Sequence, residues 1–419
     1  MDSQASPDNS QLYTRLSQAL PSIKGLAILM VVIYHIWNYT KDYPSFAQII
    51  AAASNGSLKD WLEACLDLVS LLGEQGVHFF LIASGFGLAA SWWRQYGLLD
   101  KKASSFAVIP FWKRRLQKLL PFYWAAHALA LLLVFIHAEW VPFGHEVFNH
   151  SSLGVIAAVI ASLTTLRNIV PEFYSFLNGA WWYVGLSVQL YLVFPLLINL
   201  GKRWGWTPLL MGSLLLSCLY RAVVITLPLS EKLTDVLVRG ALFPSRLFEF
   251  VFGIVLAISL LKPIATSQRR TTQIFGLDPN LFTWIHALLR KRQWLPVSVA
   301  LWISGLACHW SSSAGWLFLR VPADALIGVG EFCLVFQMLA FAPQLQPWLK
   351  PLGHYSYGIY LTHMNLFVGL WALSLPLLPS YWPHLLLVTS ITCGLGGLLE
   401  LGYQRLEEQF WLKKAVGRV

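Results

Sequence analysis

The chain has 419 residues, of which 56% are hydrophobic and only 12% charged, and its mean hydropathy is +0.57. Soluble domains carry about twice that share of charge, so the composition excludes a water-soluble enzyme and indicates an all-α polytopic membrane bundle. The net charge of +10 is then topological, held in short loops at the lipid bilayer, and no nucleic-acid partner is expected.

Residues 1–19 are polar and read as a partly disordered cytoplasmic tail. Apolar segments long enough to span follow at 20–39, 77–96, 119–137, 179–200, 208–228, 244–262, 294–311, 322–342, 354–375 and 383–403. The first has no small-residue cleavage site after it and reads as a retained helix rather than a signal peptide. A shorter apolar stretch, 152–168, decides the topology. If it spans, Lys202, Arg203 and the basic loop 262–293 face outside. If it is re-entrant or interfacial, these groups share the cytoplasmic side with the basic clusters near 94–118 and 413–418, as the positive-inside rule requires. The second option gives about ten transmembrane helices plus one re-entrant or interfacial segment, a membrane domain over 20–403, a basic tail over 404–419 and both termini inside.

No loop is long enough for a soluble domain, and 266–293 reads as an amphipathic surface segment without chemistry. Cys65, Cys218, Cys308, Cys333 and Cys393 are isolated. They show neither CxxC nor metal-ligand spacing, so no metal site is expected and they read as filler.

The candidate chemistry begins in the first span. His35 lies inside it and Lys24 eleven residues earlier, close to three helical turns, so the two share a face about 16 Å apart. An ionisable group in hydrocarbon is costly unless it is paired or lines a polar cavity. Taken alone, His35 fits either a functional group or a hydrogen bond to a neighbouring helix. Arg115 and Lys118 are i,i+3 where the third span begins, an arrangement that suits a topological anchor or an anion site. Arg246 and Glu249 share that spacing in the sixth span and suit an intrahelical pair, with orientation of His35 a second role open to Glu249. Asp324, Glu331 and His363 are polar groups in later spans that either line a cavity or stitch helices together.

Six blocks carry a resemblance: Lys24-Gly25-Leu26-Ala27 with Tyr34-His35; Gly76 to Phe86; Phe111 to Tyr123 with its basic Lys113-Arg114-Arg115 and Lys118; Trp182 to Tyr191 with Phe194-Pro195; Arg246 to Phe250 with Gly253; and Leu352 to His363. Together, over about 20–403, they resemble the acyltransferase-3 family of membrane acyltransferases, which decorate cell-surface glycans and related acceptors. The chain departs from that pattern at Lys24 and Lys118, where arginine is usual, at His78, where an acid is usual, and at Pro21 and Ser187, where Asp and Glu are common.

The resemblance implies an O-acyltransferase that moves an acyl group, by default acetyl, from acyl-CoA to a hydroxyl of a cell-envelope glycan or similar acceptor. Acyl-CoA is a co-substrate, and no bound cofactor is expected. Such a transfer needs a base, donors for an oxyanion and a grip on the remote end of the donor. His35 is the expected base or transient acyl carrier; Lys24, Arg115 and Lys118 are the expected phosphate contacts; Arg246, Glu249, Glu331 and His363 are further cavity or orienting residues. The expected location is a bacterial inner membrane. The rival reading is a transporter or exporter of a small anion or acylated metabolite with His35 as proton relay; the repeats and paired broken helices of such proteins are not evident.

Overall fold

A computed structural model describes residues 7–54, 56–97, 106–149, 151–265, 279–290, 292–313 and 315–416. In chain order the helices are α1 (Pro7–Thr40), α2 (Phe46–Ser54), α3 (Leu58–Leu71), α4 (Gly76–Trp92), α5 (Val108–Ile136) and α6 (Glu146–Asn149). There follow α7 (Ser152–Leu163), α8 (Trp182–Trp204), α9 (Trp206–Thr226), α10 (Glu231–Val236), α11 (Leu247–Ala265) and α12 (Pro279–Arg290). The last are α13 (Leu295–Ser313), α14 (Arg320–Phe341), α15 (Gln346–His354), α16 (Ser356–Ser374) and α17 (Tyr381–Val416). Among the described residues no strand forms, and Phe143 and Leu177 make an isolated antiparallel bridge.

Helices stand at all ten segments expected to span, and eight of these stretches are long and apolar enough to cross a membrane unaided. The other two, α13 and α16, have nineteen residues each, about 28 Å, and carry polar residues such as His309 or His363 and Asn365 in place of aliphatic ones. Helix α7 has twelve residues, about 18 Å against a hydrocarbon core of about 30 Å; it is too short to cross.

Both expected tails are helical where described. Helix α1 begins at Pro7 because Leu12, Leu16 and Ala19 recur on one face and are buried, while the Tyr13 ring stacks on Phe86 at 5.9 Å. Helix α17 continues past 403 to Val416. Of the 266–293 segment, α12 is amphipathic as expected but docked: Ile285, Leu288 and Leu289 are buried and Gln337 donates to the Leu288 carbonyl at 2.6 Å. Residues 266–278 and 291 lie outside the described residues.

The chain divides into two compact units, one of Met1–Ile23, Val77–Arg115 and Gly185–Trp348, the other of Lys24–Gly76, Leu116–Val184 and Leu349–Val419. In the first, α11 is almost wholly buried, with Phe250, Val251, Phe252 and Ile254 in the core. It crosses α4 at two glycines. A Cβ on Gly85 would strike the Phe250 carbonyl, and one on Gly253 the Ile82 carbonyl; only hydrogen leaves room for backbones this close. Helix α9 is inverted relative to a helix in water: Met211, Leu215, Leu216, Leu219 and Val223 are exposed, while Ser213, Ser217 and Arg221 are buried. That pattern belongs in lipid, where polar groups must be satisfied internally.

In the second unit, Arg167 is fully buried at the end of the α7 segment. Its guanidinium donates to the Tyr174 carbonyl, to the Asn178 carbonyl at 2.8 Å and to Ser162 Oγ at 3.1 Å. Ser162 Oγ lies 2.7 Å from His127 Nε2, and His127 Nδ1 lies 3.0 Å from the Tyr123 carbonyl. A carbonyl only accepts, so Nδ1 carries the hydrogen and the serine hydroxyl donates to Nε2. Saturated in this way, the cluster folds the segment back on itself.

That folding gives a topological expectation. Single cysteines at Ser152 and Glu172, both exposed, should react with an impermeant maleimide from the same side of the membrane. Reaction from opposite sides would make the segment spanning.

Candidate active site

Helix α1 is unbroken from Lys24 to His35, so the eleven-residue spacing becomes a rise of about 16 Å. Its far end is held within the second unit. Trp37 Nε1 donates to Asp67 at 2.6 Å, Lys41 pairs with the same carboxylate at 3.1 Å, and the Thr40 hydroxyl lies 2.8 Å from that of Tyr381. These anchors follow His35 by two to six residues and fix the rotation of its turn.

His35 is half-buried, and its ring lies 5.1 Å from that of His363 on α16 and 5.2 Å from that of Tyr34. Around His363, α16 is almost entirely buried. Trp181 donates to the Leu361 carbonyl at 2.9 Å and Asn178 to Asn365 at 3.2 Å, which fixes the helix's rotation. The Tyr360 ring meets Tyr183 at 5.7 Å and His363 at 5.8 Å. Two histidines and three tyrosines thus share one neighbourhood within this unit.

Toward the other end of the same α1 segment, Lys24 has Lys118 and Glu400 as its charged neighbours. Glu400 is buried on α17; its carboxylate accepts the Gly358 N–H at 2.6 Å and a bond from Gln404 at 3.2 Å. A Cβ on Gly358 would collide with the Glu400 side chain, so this glycine lets the carboxylate reach the first turn of α16, where the helix dipole favours an anion. Tyr357 donates to the Leu119 carbonyl at 2.7 Å, tying α16 to α5 one residue beyond Lys118. Of the three expected phosphate contacts, Lys24 and Lys118 therefore share one electrostatic neighbourhood. Arg115 sits a turn earlier on α5 in the other unit, half-buried and 5.6 Å over the Phe111 ring.

Arg246 and Glu249 form the expected intrahelical pair at 3.2 Å, and the first unit extends it. Glu249 also bonds His78 at 3.2 Å, Arg246 pairs with Asp324 at 2.6 Å, and Arg221 pairs with Asp324 while donating to the Ser245 and Arg320 carbonyls. Two guanidinium groups face two carboxylates, all buried. His78 faces the Glu249 carboxylate at 3.2 Å, where a second acid would meet like charge. Glu331 is buried on α14, and its Oε2 makes no hydrogen bond among the described residues.

Sequence reasoning missed Glu400 and Arg167. Each is a lone charge within or ending an apolar run, the signal that singled out His35.

Fold and site together define an integral-membrane helical protein with a histidine-centred polar cluster at one level and a cationic cluster at another. Residues 18–401 match the family described as "Acyltransferase domain", and the chain belongs to that acyltransferase-3 family. It is an integral-membrane acyltransferase. It is 25% identical over 294 residues to "Acyltransferase MdmB" of Streptomyces mycarofaciens, covering 65% of this chain and 68% of the relative. It is also 25% identical over 370 residues to "Putative peptidoglycan O-acetyltransferase YrhL" of Bacillus subtilis, covering 80% of this chain but only 50% of that protein, so the chain spans about half its length. No solved structure matches.

The Arg221–Asp324–Arg246–Glu249 network gives a stability expectation. Asp324→Ala takes the carboxylate from buried Arg221 and leaves Arg246 with Glu249 alone, and should cost about 3–5 kcal/mol, read as a lower unfolding temperature in detergent. Arg221→Leu combined with Asp324→Leu should recover part of that loss. An unchanged unfolding temperature in Asp324→Ala would show that the network carries no stability.

Proposed function

We propose that the protein transfers an acyl group, acetyl in the simplest case, from a cytoplasmic acyl-CoA to a hydroxyl of a cell-envelope carbohydrate or similar acceptor. The observation that carries the reading is the course of α1, which bears His35 beside His363 at one level and Lys24 beside Lys118 and Glu400 three turns away. The separation suits an extended thioester donor whose phosphates and reacting carbon must be held far apart.

At the phosphate end, two lysines against one carboxylate leave net positive charge for an anion. Arg115, one turn before Lys118, adds a guanidinium able to grip phosphate with two parallel bonds. At the reacting end, His35 is the base. It takes the acceptor hydroxyl proton as oxygen attacks the thioester carbonyl carbon, then returns it to the departing sulfur as the carbon–sulfur bond breaks. Neutral imidazole suits both transfers near neutral pH. A hydroxyl acceptor on an envelope carbohydrate accords with the printed name of the Bacillus subtilis relative. The positive-inside distribution of basic residues supports a plasma-membrane setting with both termini in the cytoplasm.

His35→Ala should insert and fold normally but lower the transfer rate by about 10²- to 10⁴-fold, the worth of a positioned base. Normal transfer by a well-expressed His35→Ala protein would remove His35 from the chemistry. Arg115→Ala should raise the donor KM about tenfold or more, as expected for a lost bond to a charged group, with a smaller loss in kcat. If the donor KM stays at the wild-type value, Arg115 is a topological anchor.

A further inference from the structure

We infer that His363 fixes the ring tautomer of His35 and shares the charge that His35 acquires during transfer. The inference rests on reading His35 as the base and assigns that base a positioning partner. His363 is fully buried. Its Nδ1 lies 2.7 Å from the Tyr360 carbonyl oxygen, which only accepts, so Nδ1 carries the hydrogen. In the neutral ring, Nε2 is then an open lone pair, and it makes no hydrogen bond among the described residues.

A buried acceptor without a donor is costly. The adjoining ring is His35, with centroids 5.1 Å apart and planes inclined by 42°. Two ring radii of about 1.2 Å and a donor–acceptor distance of about 3 Å give nearly that separation, which puts His35 within reach of one N–H···N bond to His363. Helix α16 cannot turn away, because the Trp181 bond to the Leu361 carbonyl and the Asn178–Asn365 bond hold it on either side of Thr362 and His363.

With one N–H of His35 given to His363 Nε2, the other His35 nitrogen keeps its lone pair for the acceptor hydroxyl. The O–H bond breaks toward that nitrogen as the oxygen–carbon bond forms. The carbon–sulfur bond then breaks, sulfur leaves with its electron pair, and His35 gives the proton to it. Between the two steps the positive charge on His35 is spread through the bond to His363. His363 does for His35 what a carbonyl or carboxylate does for other working histidines, fixing the tautomer and raising basicity.

The test uses the full chain in nanodiscs with acetyl-CoA as donor, comparing His363→Leu, which removes the acceptor, with His363→Gln, whose side-chain oxygen keeps an acceptor near Nε2. His363→Leu should lower kcat on the order of 10²-fold with donor KM within about twofold, and His363→Gln should restore kcat to within about tenfold of wild type. Nitrogen-15 histidine spectra should show one His35 tautomer in the wild type and a mixture in His363→Leu. Wild-type kcat in His363→Leu, equal loss in both variants, or an unchanged His35 tautomer would overturn the inference. Should His363→Leu fail to insert, the kcat of His363→Gln and its His35 spectrum decide: a single His35 tautomer and kcat within about tenfold of wild type support the acceptor role, and any other result overturns it. Activity retained in His35→Ala would instead remove the base itself, whereas activity lost there and kept in His363→Leu overturns only the positioning role.

Discussion

A charged or hydrogen-bonding side chain placed in hydrocarbon must find its partner inside the protein or lose several kcal/mol, and the layout of both units follows from meeting that demand. In the first unit the solution is charge against charge, with Arg221 and Arg246 on Asp324 and Glu249 and His78 closing the set. In the second it is charge against dipole. The Arg167 guanidinium takes two backbone carbonyls and a serine hydroxyl, while Glu400 takes the Gly358 N–H at the start of α16. Saturated networks of this kind are rigid, and in the second unit the Glu400 bond to Gly358 helps hold α16, which carries His363.

Set against that background, the open Nε2 of His363 beside His35 has a different character. In the same unit His127 has both ring nitrogens bonded, to the Tyr123 carbonyl and to Ser162, whereas His384 leaves Nδ1 open. Just past His35, α1 is pinned by Asp67 on α3 and Tyr381 on α17. Catalysis gains from such fixing, since a base misplaced by about 1 Å can cost 10²-fold. Under the proposed function, remote contacts to the donor would supply the complementary half, anchoring one end so that the other arrives in register.

Much of this was legible in the sequence for identifiable reasons. Long, mostly apolar runs mark helices whatever their partners, and helices stand at all ten. The eleven-residue spacing of Lys24 and His35 survives because α1 is continuous, and Arg246 with Glu249 is a local i,i+3 pair. What remained hidden depends on contacts distant in the chain: Asp324 joining Arg221 across 103 residues, and Glu400 meeting Gly358 across 42. The segment before residue 20 looked too polar to be ordered, yet Leu12, Leu16 and Ala19 supply enough of a stripe to carry α1 back to Pro7. Arg115 and Lys118, one turn apart on α5, fall in different compact units, a division that helical periodicity cannot reveal.

The central claim is that this membrane protein breaks a thioester and makes an ester. It is tested most directly with purified protein in nanodiscs supplied with acetyl-CoA labelled in its acetyl group and a soluble envelope-type saccharide, following label and free thiol together. The account predicts label on a saccharide hydroxyl with one thiol released per acetyl transferred. Movement of intact acetyl-CoA or acetylated product across a sealed vesicle, with no thiol released and no label on the saccharide, would contradict it.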